Sequence, residues 1–541
     1  MKSISIIVFL SVSNCLFGQA YSSFDTTAIK KHFEFLASDA LKGRATGSKE
    51  TKIAAQYFID FFRENNFVPF GENSTFRQRI FLHGSKPLSS SEFTLFQSDD
   101  TTALNFGKDY VLFKTGEQTY LPTPTETIFV GYGINAPEYD YNDYQNIDAE
   151  GKIVVVLDGE PDSDELEYFD GKFNSVYSLP ESKIRLAMAQ GAEGILIIPL
   201  KPKSDEEWGK KQREFSFEDV SLPARPGGIF AAYLRAHFAN LLFEGTNLEN
   251  IDLLDLHKKS SVNSLPLNSK ISFLGKFKQR DFYDDNIIAG ISGKEESLSD
   301  SYLLVTAHYD HLGIGPAVNG DSIYNGALDN SLGCAVLLEL AKQLKAVEGE
   351  LKRSVIFILL TGEEKELLGS RYYCSRPVVP LFKSVANINI DGIAVIDEFN
   401  SIVPVGEEYS TIGSFVEKVA EKNNLEIESI ENTNYTIEAF ARSDQIAFAQ
   451  AGIPSLLLID GTDYKNVDRA TGMKTNLRYF SENYHTPSDD LNLEVNFNAV
   501  NQHAEILFQL CFELLTSENE PEWFEGSPFI NERLRTIAEK R

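Results

Sequence analysis

A small set of acidic and imidazole side chains in this chain is spaced so that a fold could bring them together as a metal site. They are His308, Asp329, Glu363, Glu364, Asp391 and His485. Imidazole together with carboxylate suits Zn²⁺, whereas Mg²⁺ and Ca²⁺ prefer oxygen ligands alone. The sequence has no cysteine cluster that could supply thiolates. Each residue alone is typical of a strand cap or a solvated loop, so their joint placement is what indicates metal chemistry.

Three short apolar runs would position most of these side chains. The runs Tyr302–Ala307, Val355–Leu360 and Val385–Ile390 have the length and the Val, Ile and Leu content of buried strands. Each delivers a metal-capable residue at or just past its carboxyl end, and open α/β sheets bind ligands outside that edge. A helical pattern at about residues 331–344 follows the first run. The sequence therefore predicts an α/β sheet with the polar groups at one edge.

The number of candidate ligands indicates more than one metal ion. The set His308, Asp329, Glu364, Asp391 and His485 contains two imidazoles and three carboxylates, and His485 lies in the loop NYHTPSDD. These ligands exceed what one tetrahedral zinc uses. They fit two metal ions about 3.5–4 Å apart that share one bridging carboxylate.

The ordered set resembles the di-zinc exopeptidases typified by bacterial leucyl aminopeptidases and aminopeptidase Y. The resemblance runs from LASDALKGRATGS, residues 36–48, to the YHTPSD segment around His485. It implies an α/β fold of the phosphorylase/hydrolase type, with a mixed β-sheet flanked by helices. It also implies two zinc ions per chain and peptide substrates.

Carried over residue by residue, the resemblance implies a role for each candidate ligand. His308 and Asp391 would hold one zinc ion, and Glu364 and His485 would hold the other. Asp329 would bridge the two ions. Each of the family's five ligand positions is therefore filled by a matching residue in this sequence.

The resemblance implies two further roles, and the sequence departs from the family at two positions. Asp310 would orient His308 from behind, as metal-bound imidazoles usually require. Glu363 would be the general base for a water between the metals. Leu328 stands where the family often has an acidic residue, and Gly392 stands where Met is frequent. Neither departure removes a ligand.

Other residues near the motifs are expected to be structural. His311 would be a neighbour of the site and not a ligand. Ser443-Asp444 matches the family's Ser-Asp pair that opens a helix, and an N-cap accounts for it. Tyr464 would be a packed loop tyrosine. The segment from Asp460 to Tyr484 reads as a long irregular loop that would shape specificity.

The middle of the chain resembles a protease-associated domain. FVGYG at 129–133, GKIVVV at 151–156 and the segment 183–198 carry this resemblance. It implies an inserted, mainly β domain with a role in substrate access. The predicted organisation is a signal peptide, the N-terminal part of the peptidase domain, the inserted domain, the catalytic domain and a charged C-terminal tail. The corresponding residues are 1–18, 21–107, 108–279, 280–520 and 521–541.

The composition and the N-terminal residues limit the classes of function that this protein could have. A net charge of −29 argues against nucleic-acid binding and against adhesion to anionic membranes. The apolar run ISIIVFLSV predicts a signal peptide cleaved near Gly18 or Ala20, with lipid attachment at Cys15 as the competing reading. No later segment approaches the ~20 apolar residues of a membrane span. Cys334, Cys374 and Cys511 are too few for a disulfide framework.

We therefore expect an exported zinc aminopeptidase that acts on peptides. One alternative is a carboxypeptidase or dipeptidase of the same family, for which Arg442 is the one obvious candidate to bind a substrate carboxylate. A second is glutaminyl cyclase, which shares the fold but uses one zinc. A third is a non-catalytic, receptor-like binding protein.

Overall fold

Two large β-sheets organise the chain. The computed structural model describes residues 24–97, 100–113, 120–162, 168–169, 175–200, 205–223, 229–257, 263–429 and 437–538. The predicted signal peptide, residues 1–18, and Cys15 lie outside the described residues.

The larger sheet, which has ten strands among the described residues, is mixed and carries the three runs expected from the sequence. Its central strand Tyr302–His308 runs parallel to both of its neighbours, Ser354–Leu360 and Ser384–Asn389. Ser354–Leu360 also pairs with Phe277–Ile291, in the antiparallel direction. Ser384–Asn389 also pairs with Ser455–Asp460, in the parallel direction. In spatial order the strands are Asp219–Ser221, Arg77–Pro87, Phe277–Ile291, Ser354–Leu360, Tyr302–His308, Ser384–Asn389, Ser455–Asp460, Ser401–Val405 and Glu426–Ile427, with Val68–Pro69 also paired to Phe277–Ile291.

Helices cover both faces of the larger sheet because its strands are apolar on both sides. Leu303 and Val305 point into one core and Leu304 points into the other, as alternate strand residues must. The helices on the first face are Thr26–Leu36, Lys49–Glu64, Leu332–Ala346, Gly413–Asn423 and Phe497–Thr516. Those on the second are Leu368–Ser375, Gln445–Gln450 and Ile530–Ala538. The predicted mixed sheet flanked by helices is confirmed.

The smaller sheet is inserted between two strands of the larger one, Arg77–Pro87 and Phe277–Ile291. Its first strands in the chain, Glu92–Gln97 and Asp100–Leu104, lie before the predicted boundary at residue 108. In spatial order its described strands are Asp100–Leu104, Glu92–Gln97, Leu265–Leu274, Tyr120–Phe129, Ile153–Leu157, Gly194–Ile198, Phe230–Leu234 and Tyr110–Leu112. Its helices are Pro180–Ala189, Asp205–Glu214, Ala239–Leu242 and Leu253–His257. Its identification as a protease-associated domain stays a prediction.

The segment before His485 is not the irregular loop expected from the sequence. It contains the helix Arg469–Arg478, which Asp468 caps by accepting a hydrogen bond from the backbone of Thr471 at 3.1 Å. Only Gly472 of this helix is buried, so the sequence carries too little apolar periodicity to reveal it.

The described residues of the C-terminal segment contact the region of the larger sheet. Trp523 donates its indole N–H to the carbonyl oxygen of Gly452 at 3.0 Å. Arg533, on the last helix, donates to the carbonyl oxygen of Ser384 at 3.0 Å.

The structure bears on two further expectations. Among the described residues, no helix combines the length and the apolar content that crossing a bilayer requires. Cys334, Cys374 and Cys511 are all free thiols.

Candidate metal centre

Three adjacent parallel strands bring polar side chains to one edge of the larger sheet. One strand ends at His308, and another ends two residues before Asp391. The third is followed by Gly362, whose φ of +70° turns the chain sharply into the short helical turn that carries Glu363 and Glu364. The sheet edge predicted from the sequence is therefore the place where these groups meet.

The five predicted ligands lie together around Asp329. The Nε2 atom of His308 is 3.2 Å from Asp329 Oδ1 and 3.4 Å from Asp391 Oδ1. The Nε2 atom of His485 is 3.3 Å from Asp329 Oδ2 and 3.2 Å from Glu364 Oε2. The two oxygens of Asp329 thus each face a different histidine, and each histidine also faces a carboxylate of its own.

The cluster is closed on one side and open on the other. The side chains of His308 and Glu364 are 1% and 4% exposed, whereas those of Asp391 and His485 are 19% and 35% exposed. Glu363 is also partly exposed. Solvent and a substrate can therefore reach the groups on this open side.

His311, set aside in the sequence analysis as a structural neighbour, lies inside the cluster. Its Nδ1 atom is 2.5 Å from Glu364 Oε1 and 3.9 Å from Asp329 Oδ2, and the side chain is fully buried. A Cβ atom on Gly326 would come within 2.5 Å of the His311 ring, so glycine is needed there for the ring to fit. In the sequence, the one signal for His311 was its position three residues after His308 in HYDH. Because the strand ends at His308, this spacing does not predict the direction in which the His311 side chain points.

The residues present fit metal ions. The Nε2 atom of His311 is buried and lacks a hydrogen-bond partner among the described residues. Burial raises the pKa of Glu364, but His485 and His311 outweigh it and hold that pKa well below its usual range. Burial likewise raises the pKa of Asp329, and hydrogen bonds from His308 and His485 bring it below its usual range. Ionised carboxylates and imidazoles converging in this way are a donor set for zinc.

Asp310 contacts His308 differently from the expectation. The Nδ1 atom of His308 lies 3.2 Å from the backbone carbonyl oxygen of Asp310, not from its carboxylate. The carboxylate instead accepts a hydrogen bond from the hydroxyl of Thr46 at 2.8 Å and one from the backbone N–H of Glu363 at 3.1 Å. The side chain of Asp310 therefore holds the backbone of the predicted general base.

The Ser443-Asp444 pair supports the site and does not cap the helix that follows. Neither side chain makes an N-terminal capping hydrogen bond to this helix. Ser443 donates its hydroxyl to Asp391 Oδ2 at 2.5 Å, and Asp444 accepts a hydrogen bond from Ser370 at 2.6 Å. Asp444 stands at the N-cap position of this helix, but its side chain makes no capping hydrogen bond. The contact of Ser443 with Asp391, 52 residues away in the chain, cannot be read from local sequence. Tyr464 is buried and donates to Asp460, as expected for a packed loop residue.

Asp489 ties the loop of His485 to the loop of Asp329. Its carboxylate accepts hydrogen bonds from the backbone N–H groups of Leu328, at 2.9 Å, and Asp329, at 3.1 Å. Burial raises its pKa to about 6. Its place four residues after His485 in NYHTPSDD was visible in the sequence, but its partner was not.

Arg44 holds the backbone on the closed side of the site. Its guanidinium is 1% exposed and donates to the carbonyl oxygens of Leu36, Tyr309, Asn325 and Gly326 at 2.5, 2.9, 2.6 and 3.0 Å. Burial lowers the pKa of this guanidinium. One side chain thus joins the N-terminal helix to the residue after His308 and to the loop before Asp329.

Arg44→Lys should lower the free energy of unfolding by about 3 kcal/mol, because an ammonium cannot reach all of these carbonyl groups and each buried polar group left unpaired costs about 1–3 kcal/mol. The midpoint of denaturant-induced unfolding measures this. Arg63→Lys, at a side chain that is 62% exposed, is the matched control and should change stability by less than about 0.5 kcal/mol. Equal midpoints for the two variants would contradict the assignment.

The chain is similar in sequence and in fold to known peptidases. Residues 286–511 match peptidase family M28. Aminopeptidase YwaD of Bacillus subtilis (strain 168) is 24% identical over 395 residues, which are 72% of this chain and 69% of that protein. Endoplasmic reticulum metallopeptidase 1 of Mus musculus is 26% identical over 155 residues, 27% of this chain and 16% of that protein. The structure of an aminopeptidase from Aneurinibacillus sp. strain AM-1 has a TM-score of 0.56 at 17% identity and covers 91% of this chain and 94% of that chain, which shows the shared fold.

Proposed function

We propose that this chain, whose residues 286–511 belong to peptidase family M28, is a zinc metallopeptidase that removes N-terminal residues from peptides. The position of Asp329 between two histidines is the observation that supports this most directly. Its Oδ1 and Oδ2 atoms lie 3.2 Å from His308 Nε2 and 3.3 Å from His485 Nε2. A carboxylate in this position could offer one oxygen to each of two metal ions.

Each zinc ion would have further ligands of its own. His308 and Asp391 would hold one ion, and His485 and Glu364 the other, with Asp329 shared. Bound zinc supplies Lewis-acid chemistry, by which water is activated and the scissile carbonyl is polarised. Ser443 keeps Asp391 in place through its 2.5 Å hydrogen bond.

Glu363 is the group that would move the proton. Its carboxylate and the ligand atoms of His308 and Asp391 lie within 4.8 Å of one another, and Glu363 itself is partly exposed. Burial raises the pKa of Glu363 well above its usual range. Only its ionised carboxylate can accept a proton from water. It would take a proton from the attacking water and return it to the leaving amine.

The similarity to aminopeptidase YwaD supports a substrate with a free amino terminus. The carboxylates of Asp329, Glu363, Glu364 and Asp391 do not themselves select one end of a peptide, because two bound zinc ions would balance their charge. Arg442, the candidate for binding a substrate carboxylate, is exposed on the surface. Export remains a prediction from the signal-like residues 1–18.

A panel of aminoacyl amides, each with its N-acetylated counterpart, tests this function. The free amines should be hydrolysed and the acetylated forms should not, with a difference of at least about a hundredfold in kcat/KM, because the acetylated substrate no longer offers the free amino group that an aminopeptidase must bind. A chelator should abolish the activity and added zinc should restore it. Metal analysis should give two zinc ions per chain.

The other outcomes point to the alternatives. Release of C-terminal residues from N-acetylated peptides would indicate a carboxypeptidase. One tightly bound zinc, with cyclisation of N-terminal glutamine, would indicate glutaminyl cyclase. Zinc binding without any turnover would indicate a binding protein.

A further inference from the structure

The inserted region is the part of the chain between the strands Arg77–Pro87 and Phe277–Ile291. A short segment of it returns to the larger sheet beside the site. The strand Asp219–Ser221 pairs antiparallel with Arg77–Pro87, with Val220 opposite Gly84. Phe217, just before this strand, packs edge-on against Tyr324 with ring centroids 5.0 Å apart. The inserted region therefore makes a defined contact with the catalytic region.

Glu218, in this segment, forms a two-pronged ion pair with Arg280 of the larger sheet. The Nε and Nη2 atoms of Arg280 lie 2.8 and 2.6 Å from Oε1 and Oε2 of Glu218. Arg280 also donates to the carbonyl oxygens of Gly47, at 3.1 Å, and Thr46, at 3.4 Å. The guanidinium thus joins the inserted region to the loop that precedes the helix Lys49–Glu64.

The loop that contains Thr46 and Gly47 is closely packed, so a movement of Arg280 would also move this loop. Arg280 lies over the ring of Phe282 with its Cζ atom 4.0 Å from the ring centroid. A Cβ atom on Gly47 would come within 1.9 Å of the same ring. The backbone N–H of Gly47 donates to the buried carboxylate of Asp284 at 2.6 Å. The loop is therefore held from both sides.

From this loop two hydrogen bonds lead to Glu363. The hydroxyl of Thr46 donates to Asp310 Oδ2 at 2.8 Å, and the backbone N–H of Glu363 donates to Asp310 Oδ1 at 3.1 Å. The carboxylate of Asp310 is fully buried, so it is tightly constrained by these two donors. Any shift of Thr46 is passed through one rigid carboxylate to the backbone of Glu363.

We propose that the inserted region positions the general base through a continuous series of contacts, from Glu218 through Arg280, Thr46 and Asp310 to Glu363. Glu218 and Arg280 are positioning residues in this scheme and do not touch the substrate. The proposal rests on the role of Glu363 in the proposed function. It assigns the inserted region a part in setting turnover, in addition to the role in substrate access that the resemblance implies.

A double-mutant cycle between Glu218→Gln and Thr46→Val tests the proposal in the full-length zinc-loaded protein, with a hydrolysed aminoacyl amide as substrate. Glu218→Gln should lower kcat about threefold with KM within about twofold, the size expected for a partly exposed ion pair. Thr46→Val should lower kcat about tenfold or more, since it removes a hydrogen bond to a buried carboxylate. The double variant should be no slower than Thr46→Val alone, and Thr46→Ser should retain wild-type kcat.

The matched control and a second measurement keep the test independent of the proposed function. Glu92→Gln removes another acceptor in the inserted region, one that pairs with Lys276 at 3.0 Å, and should leave kcat unchanged. Hydrogen exchange at the Glu363 amide should be faster in Glu218→Gln and in Thr46→Val, and unchanged in Glu92→Gln. Additive effects in the cycle, or equal behaviour of the Glu218 and Glu92 variants, would overturn the proposal. Absence of wild-type turnover would overturn the proposed function, while amide exchange would still report on the contacts.

Discussion

Replacement of Glu363 by glutamine should lower kcat by about a thousandfold while the zinc content of the protein stays unchanged. General acid–base catalysis contributes about 10²–10⁴-fold, and the amide has nearly the shape of the carboxylate but cannot accept the proton. The backbone of residue 363 would stay in place, because its N–H still donates to Asp310. Steady-state kinetics together with elemental analysis of zinc measure both parts of the expectation.

The control for this variant is Glu366→Gln. Glu366 follows the same short helical turn, but it belongs to neither group of metal-capable side chains. Its replacement should change kcat by less than about threefold, because the substitution is nearly isosteric and lies outside both of these groups. A Glu363→Gln protein that keeps full turnover would exclude Glu363 as the base. A variant that loses zinc as well would indicate that residue 363 is a ligand.

The strands at the site could be predicted because the information is local. Runs such as Tyr302–Ala307 and Val355–Leu360 are apolar throughout, and such runs are buried on both faces in parallel sheets. Since parallel strands end at the same edge, the convergence of His308, Glu364 and Asp391 follows from the pattern alone. The structure places these side chains where that reasoning put them.

The contacts that hold the ligands could not be predicted, because they join distant parts of the chain. Thr46 meets Asp310 across 264 residues, and Ser443 meets Asp391 across 52. Local rules assigned Ser443 to a helix cap, which its type and position also fit. The direction of the His311 ring likewise depends on the loop at Gly326, which packs against it. Residue type indicated that these positions could matter, and only packing decides how.

Asp329→Asn should have the largest effect on metal binding. Asp329 faces both His308 and His485, so its loss weakens both metal ions at once. Loss of a residue that only hydrogen-bonds to a metal ligand lowers metal affinity by about 10–100-fold. Loss of a ligand that both ions share should lower the affinity for each ion by more than that. We expect most of the zinc to be lost on dialysis and kcat/KM to fall by at least about a thousandfold. Zinc content after dialysis and kinetics at increasing zinc concentration measure this.

Two further variants separate a shared ligand from a merely nearby carboxylate. Asp391→Asn removes a ligand of one ion only, so the protein should keep about one zinc per chain under the same dialysis. Asp490→Asn changes a carboxylate in the loop of His485 that bonds to Asn492, and it should keep both ions. If Asp329→Asn instead behaves like Asp391→Asn, then Asp329 serves one ion alone and the contact with the other histidine is only a hydrogen bond. The order of zinc loss among the three variants therefore tests the shared carboxylate independently of turnover.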